Sequence, residues 1–198
     1  RDGKPVRSFS RLAQSLRRSP IAFAVNGGMF GVDGRPIGLS VVDGAQQTPL
    51  NLRAGTGNFY MVPNGIFYGD ANGWHVTTTA DFAGQQHQAL DFATQSGPIL
   101  LTVGKMNPNF ADDGPSRKIR NGVGIERNGS AVFVISETPV SFGRFARLFR
   151  DRLDCRDALY LDGFVSSLWD PASGRRDDHA ALGPLIVATP RSDGSPQH

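Results

Sequence analysis

The sequence predicts a single α+β domain, with a core of mixed or antiparallel β-sheet and a few packed helices. Three observations predict it. Short apolar runs alternate with Gly-, Asn- and Asp-containing turns along most of the 198 residues, which include 24 Gly and 13 Pro. Helical spacing is confined to two segments, residues 8–18 and 141–153. Glu and Lys, good formers of exposed helix, are scarce, at 2 Glu against 16 Asp and 3 Lys against 18 Arg.

The elements follow in chain order. Phe9, Leu12, Ala13 and Leu16 form one helical stripe, with Ser8 placed to cap it and Pro20 to end it. IAFAVN (21–26) reads as a buried strand entering a Gly27-Gly28 turn. From 37 to 79 the runs IGLSVV (37–42), NFYMV (58–62), GIFYG (65–69) and WHVTTT (74–79) are separated by turn signals, which predicts a meander. ALDFATQSG (89–97) and PILLTVG (98–104) predict further strand. Residues 105–118 are polar and aperiodic, long enough for a functional loop or lid. NGVGIERNGSAVFVIS (121–136) predicts a hairpin turning at 127–130. In the second helix Phe142, Phe145, Ala146, Phe149 and Leu153 share a face. DALYLDG (157–163) and GPLIVATP (183–190) predict the closing strands. One domain over 1–189 with a loose tail at 190–198 is the expected organisation.

Composition excludes several classes. No run approaches the ~18 apolar residues of a membrane-spanning helix. The single cysteine, Cys155, leaves no internal disulfide and no multi-cysteine zinc site. The net charge is +3, and the basic residues are spread out rather than gathered with aromatics, so no nucleic-acid partner is expected. The nearest cluster, Arg144, Arg147, Arg150, Arg152 and Arg156, reads as the wet face of a helix. Oligomeric state is not legible. The first residue is Arg rather than Met, compatible with a cleaved leader.

No GxSxG, HExxH, Walker or GxGxxG motif is present, and the four histidines are isolated, so neither cofactor nor metal is expected. What stands out is polar residues at the ends of apolar runs, where a rigid sheet edge can present them to a crevice. Asn26 precedes Gly27-Gly28; Gln95-Ser96-Gly97-Pro98 joins two runs; Arg120-Asn121 opens the hairpin; Asp162-Gly163 precedes Ser166-Ser167. Each has a plainer reading. Asn26 and Asp162 suit turns, Gln95 and Ser96 can satisfy backbone at a chain reversal, and Arg120 can pair with a surface Asp.

Taken together, the strings FAVNGGMF, PIGLSVVDG, LNLRAGTGNFYMVPNGIF, ATQSGPIL, RNGVGI, FVIS, FARLFRDRL and ALYLDGFVSSLW resemble the phosphodiester glycosidase family. They resemble most its bacterial branch, known as a domain of unknown function and as exopolysaccharide-related. The resemblance runs from about Phe9 to Val187. It implies hydrolysis of a sugar-1-phosphodiester or related glycan. The family's motifs fall on Asn26-Gly27-Gly28, Arg120, Asp162-Gly163 and Ser166-Ser167. With the strand-end residues Gln95, Ser96 and Asn121 added, Asp162, Arg120 and Asn26 are expected to be catalytic, and Gly27, Gly28, Gln95, Ser96, Asn121, Gly163, Ser166 and Ser167 to bind substrate. Asp162 would act at the anomeric carbon or on water, and Arg120 would hold the phosphate. Asp33 and Glu137 are reserve carboxylates. In the family's Asp-Gly-Gly-Gly-Ser pattern, Phe164 and Val165 replace the middle glycines. Two other functions are compatible with the residues: a phosphodiesterase cleaving P–O, or a non-catalytic glycan-binding module presenting Trp74 and Trp169. A cell-envelope substrate implies a periplasmic or secreted location.

Overall fold

The computed structural model describes residues 6–16, 20–87 and 89–190. In chain order its elements are α1 (Phe9–Leu16), β1 (Phe23–Asn26), β2 (Ser40–Val42), β3 (Ala45–Thr48), β4 (Gly65–Asp70), β5 (Gly73–Thr78), α2 (Thr79–Ala83), β6 (Phe92–Ser96), β7 (Ile99–Thr102) and β8 (Lys105–Met106). There follow β9 (Asn121–Glu126), β10 (Ala131–Ile135), α3 (Phe142–Arg147, continued by a π-helical turn over Leu148–Arg152), β11 (Cys155–Tyr160), β12 (Leu168–Asp170), β13 (Arg175–Arg176) and β14 (Leu185–Ala188).

The strands form three antiparallel sheets, ordered β13-β12-β1-β14, β10-β9-β11-β7-β8 and β3-β2-β6-β4-β5. This is the α+β domain that the apolar runs predict. All three sheets turn one face to a shared core. Val25 and Ile186 enter it from the first sheet, Ile99, Val123, Ile125 and Leu159 from the second, and Phe67 and Val76 from the third. Each opposite face has its own cover. Phe9 and Leu12 of α1 pack with Ala24, Phe82 of α2 packs with Ile66 and Tyr68, and Phe145 and Phe149 pack with Ala158 and Tyr160. Burying each such side chain contributes about 2 kcal/mol.

Period-two alternation explains the sidedness. In β11, Ala158 and Tyr160 meet α3 while Leu159 and then Leu161 enter the shared core. In β9 the helix-facing positions are Gly122 and Gly124, and a Cβ at Gly124 would lie 2.6 Å from both Phe149 and Cys155 Sγ. The two glycines let the α3 aromatics lie directly on the sheet.

Several expectations are corrected. Residues 37–79 are not a meander, because β6 inserts between β2 and β4. The 58–62 run is a 3-10 turn, Asn58–Tyr60, not a strand; Gly57 turns the chain at φ 89° and Asn64 Nδ2 donates to the Phe59 carbonyl. IGLSVV is strand only from Ser40, since the Ile37 N–H donates to Met29 O and the Leu39 N–H to the Gln95 side chain rather than to a neighbouring strand's carbonyl. Thr79 leaves the predicted strand to begin α2, capped by the Thr78 hydroxyl. Arg156 lies in β11 rather than on the helix with the other arginines.

The 105–118 segment is pinned rather than a free lid. Asn107 donates through its N–H to Leu100 O and through Nδ2 to Ile99 O, serving the bulge where β7 shifts register against β11. Phe110 stacks on Phe142 with ring centres 4.9 Å apart. The first helix is described only to Leu16, and residues 17–18 of its expected span lie outside the described residues, as do 191–198 of the expected tail.

Candidate active site

Strand ends from all three sheets carry the candidate residues. The β9/β11 register pairs Tyr160 with Gly122, and the Leu161 N–H donates to Asn121 O, so Asp162 and Arg120 leave adjacent strands at the same level. The Asp162 N–H donates to Gly27 O, joining this end to the turn that follows β1.

Asn26 is the tie between the sheets. Its Nδ2 donates to the Asp162 carbonyl at 2.7 Å. Its Oδ1 accepts from Asn121 Nδ2 and from the Ser167 N–H, both at 2.9 Å. The Ser166 hydroxyl lies 3.1 Å from Gly163 O, with Asn121 Oδ1 more distant at 3.5 Å, and the Ser167 hydroxyl donates to Val165 O at 2.7 Å. All four residues are buried. Their amides and hydroxyls are engaged with one another or with backbone, which is how buried polar groups are normally satisfied.

Gln95 is engaged in the same way. Its Oε1 accepts from the Leu39 and Asn51 N–H groups, and its Nε2 donates to Asn51 O and Thr79 Oγ1. It is a strut holding the 37–51 segment. Ser96, next along β6, leaves the opposite face of the strand. That is the face of Thr94, whose hydroxyl accepts from the Gly28 N–H at 3.1 Å. Gly28 comes so close that a Cβ there would lie 2.4 Å from Gln95 O, while Gly27 donates to Pro184 O. Among the described residues, Ser96 Oγ is the one buried side-chain polar atom with no hydrogen-bond partner.

Arg120 is not a surface residue. It is 1% exposed, and its Nε and Nη2 donate to Val140 O and Ser116 O, both at 2.8 Å. Its guanidinium carbon lies 3.6 Å over the Phe142 ring and 5.5 Å from the centre of the Tyr160 ring. No carboxylate pairs with it among the described residues. Burial lowers its pKa, with the nearby Tyr160 acting the other way, but a guanidinium this basic keeps its charge. A buried cation without an acid partner is costly unless something else compensates it.

Asp162 is half-buried and, among the described residues, forms no ion pair. Its Oδ1 accepts only from the Phe164 N–H, at 3.2 Å. Burial pushes its pKa up to about 6, against the pull of that hydrogen bond. Tyr160, an aromatic inside the run ALYL, interacts with both Asp162 and Arg120. A Cβ on Gly163 would fall 2.0 Å from its hydroxyl, so only glycine fits beside it. Burial raises the phenol's pKa, Arg120 pulls it down and Asp162 pushes it up again, and the group stays protonated at neutral pH. Strict alternation along ALYLDG was the available signal, since it puts Tyr160 on the helix-facing side.

The reserve carboxylates are occupied elsewhere. Asp33 accepts from the Arg35 N–H, and Glu137 pairs with Arg175 at 2.5 Å. The tryptophans do not form a joint platform. Trp74 stacks on Phe67 in the third sheet, and Trp169 packs with Phe9 against the first. Among the described residues, no three His, Cys, Asp or Glu side chains are grouped as metal ligands, and no helix is long and apolar enough to cross a membrane.

Comparisons with known proteins agree with this architecture. The chain is 37% identical over 158 residues to the uncharacterized protein YigE of Escherichia coli K12, covering 80% of this chain and 61% of YigE, so it spans less than two thirds of that relative. Its fold is similar to the zebrafish N-acetylglucosamine-1-phosphodiester alpha-N-acetylglucosaminidase catalytic domain, auto-inhibited by its pro-peptide. The TM-score is 0.65 at 17% identity, over 95% of this chain and 67% of that one. A hypothetical protein from Synechocystis shares the fold at TM-score 0.55 and 16% identity, over 93% of this chain and 53% of that one. Residues 19–182, most of the chain, match the phosphodiester glycosidase family, and the protein belongs to that family.

Proposed function

We propose that the protein hydrolyses the glycosidic C–O bond of a sugar-1-phosphodiester. The observation that carries the reading is the pairing of two uncompensated groups at one strand level. Asp162 is a desolvated carboxyl without a cation, and Arg120 is a buried guanidinium without an acid. An anionic group of a ligand supplies the charge that Arg120 lacks, and a water molecule donates the hydrogen bond that Asp162 lacks.

The chemistry follows from the leaving group. Most glycosidases need a second carboxyl to protonate an alkoxide as it departs. A phosphate monoester anion is a weak base and departs without it. Arg120, fixed by two carbonyls, faces the developing charge with its remaining donors, and such a fixed donor lowers the barrier by about 3 kcal/mol. The Tyr160 hydroxyl and the unpartnered Ser96 hydroxyl add hydrogen bonds to phosphate or sugar oxygens. Asp162, more basic than an ordinary carboxylate, takes the proton from water. The water oxygen bonds to the anomeric carbon as the bond to phosphate oxygen breaks. Asn26, Asn121, Ser166 and Ser167 act by holding Asp162 in place. A periplasmic or secreted location, where exported glycans occur, fits such a substrate.

The test is incubation with a panel of sugar-1-phosphodiesters in ¹⁸O-labelled water, followed by ³¹P NMR and mass spectrometry. The reading requires a phosphate monoester product, with the label in the sugar. Label in the phosphate means P–O cleavage and overturns it.

A further inference from the structure

The turn that carries Asp162 also presents an aromatic ring. Residues Gly163–Val165 form a 3-10 turn whose N-cap is Asp162. Gly163 and Val165 are buried, yet Phe164 between them is 95% exposed. Such exposure is ordinary on a floppy loop, but this turn is fixed on every side. The Phe164 N–H donates to Asp162 Oδ1, the Val165 N–H to Asp162 O, and the Ser166 hydroxyl to Gly163 O. Val165 is anchored in the cluster of Phe9, Leu12, Ala24 and Leu182. The backbone position of Phe164 is therefore tied to that of the carboxyl.

We propose that Phe164 is a specificity-determining residue, a stacking shelf for the apolar face of the sugar ring whose anomeric carbon meets Asp162. The polar groups around the carboxyl are suited to hydroxyl and phosphate oxygens, and none of them offers a surface to the C–H face of a pyranose. An aromatic face does so through dispersion and its negative quadrupole. The hydrogen bond from the Phe164 N–H to the Asp162 carboxylate keeps the backbone of Phe164 beside the carboxyl, and its exposed ring is free to meet a sugar bound there. The middle glycines of the family's Asp-Gly-Gly-Gly-Ser pattern cannot supply such a shelf, so this chain selects by ring face where a glycine turn would not. The face expected to stack is the one that carries axial H2 and H4, opposite an axial 1-phosphate; it is uninterrupted in the gluco configuration and broken by the axial 4-hydroxyl of the galacto configuration.

This inference rests on the sugar-phosphate reading of the site, and binding is measured separately from turnover. Glucose 1-phosphate and galactose 1-phosphate are titrated into the wild type, Phe164→Ala, Phe164→Trp and Asp162→Asn by calorimetry, with circular dichroism as the check on folding. The expected result is glucose 1-phosphate affinity about tenfold weaker in Phe164→Ala and retained in Phe164→Trp, with preference over galactose 1-phosphate lost only in the former. Equal affinities in wild type and a folded Phe164→Ala overturn the shelf, as does a wild type that binds neither sugar phosphate. Should Phe164→Ala fail to fold, the wild-type preference and Phe164→Trp decide. Absence of preference, or its loss in the tryptophan variant, overturns the proposal. Binding with the expected pattern but no hydrolysis of any phosphodiester retains the shelf and removes the hydrolase reading.

Discussion

Two sets of buried polar residues lie side by side at the strand ends, and they differ in how completely they are satisfied. In the first, Asn26, Asn121, Ser166, Ser167 and Gln95 direct their hydrogen bonds to one another and to backbone. In the second, Ser96 has no partner, Asp162 has one N–H and no cation, and Arg120 has two carbonyls and no anion. A satisfied network stabilises one arrangement of strands. An unsatisfied one is tolerated where a ligand supplies what is missing. The sequence reading divides the same residues differently, with Asn26 beside Asp162 and Arg120 as catalytic and Ser96 among the substrate-binding residues. The hydrogen bonds divide them into a frame and a reacting surface.

The largest expected effect breaks the reacting surface alone. Asp162→Asn keeps the shape and can still accept the Phe164 N–H, but it cannot take a proton. Hydrolysis is expected to fall by about 10³-fold, within the range for loss of a general base. The circular dichroism spectrum should hold, and the unfolding midpoint at neutral pH should rise, because the desolvated charge is gone. Undiminished turnover removes Asp162 from the mechanism.

Next in size is a break in the frame. Asn26→Ala strands the Asn121 amide, the Ser167 N–H and the Asp162 carbonyl in a buried place. Each stranded group costs about 1–3 kcal/mol, and they are not additive. A loss of about 3–4 kcal/mol in urea unfolding is expected on that scale. Activity should fall with it through displacement of Asp162. A variant as stable as the wild type would show that Asn26 belongs to the second set.

The pH dependence of stability separates the sets in another way. Asp162 titrates near 3.8 when the chain is unfolded and at about 6 when folded. Between these values the folded form holds a proton that the unfolded form has lost. Stability from this group is therefore full below about 4 and falls as pH rises to about 6, by roughly 3 kcal/mol in all. Asp113, kept low first by the Ser141 hydroxyl, runs the other way. The quantity to measure is the difference between wild-type and Asp162→Asn stability from pH 3.5 to 7.5. It should shrink toward low pH and favour the variant near neutrality. A flat difference means that the carboxyl is not desolvated. Over the same range, kcat/KM of the wild type should rise and level off above about 6, because the base must be ionised.

Much of this arrangement is legible in the sequence. The alternation in NGVGIE and AVFVI, with Asn128-Gly129 between them, yields the β9–β10 hairpin, since local turn chemistry and period-two patterning agree. Asn26, Arg120 and Asp162 were identifiable as strand-end polar residues. What was hidden depends on contacts distant in sequence. Gln95 is a strut only because residues 37–51 fold back onto it, and β6 reaches its place by inserting between β2 and β4. Strands β12 and β13 are too short to show a period, and α2 is a single capped turn. Tyr160 was concealed within an apolar run, where its hydroxyl mattered less to the pattern than its ring.

The smallest expected effect is also the sharpest division between the sets. Ser96 and Ser167 are both buried serines at strand ends, but Ser167 donates to Val165 O at 2.7 Å and Ser96 to nothing. Ser167→Ala should lose about 1 kcal/mol of stability, the net worth of a hydrogen bond, with turnover little changed. Ser96→Ala should do the reverse. Deleting a hydroxyl that is desolvated without a partner leaves stability equal or slightly raised. Removing a hydrogen bond to bound substrate lowers kcat/KM by about tenfold, equivalent to about 1.4 kcal/mol. The paired measurement is urea unfolding and kcat/KM on the same two variants. If Ser96→Ala destabilises and Ser167→Ala does not, the division by hydrogen bonding is wrong at the place where the two sets are most alike.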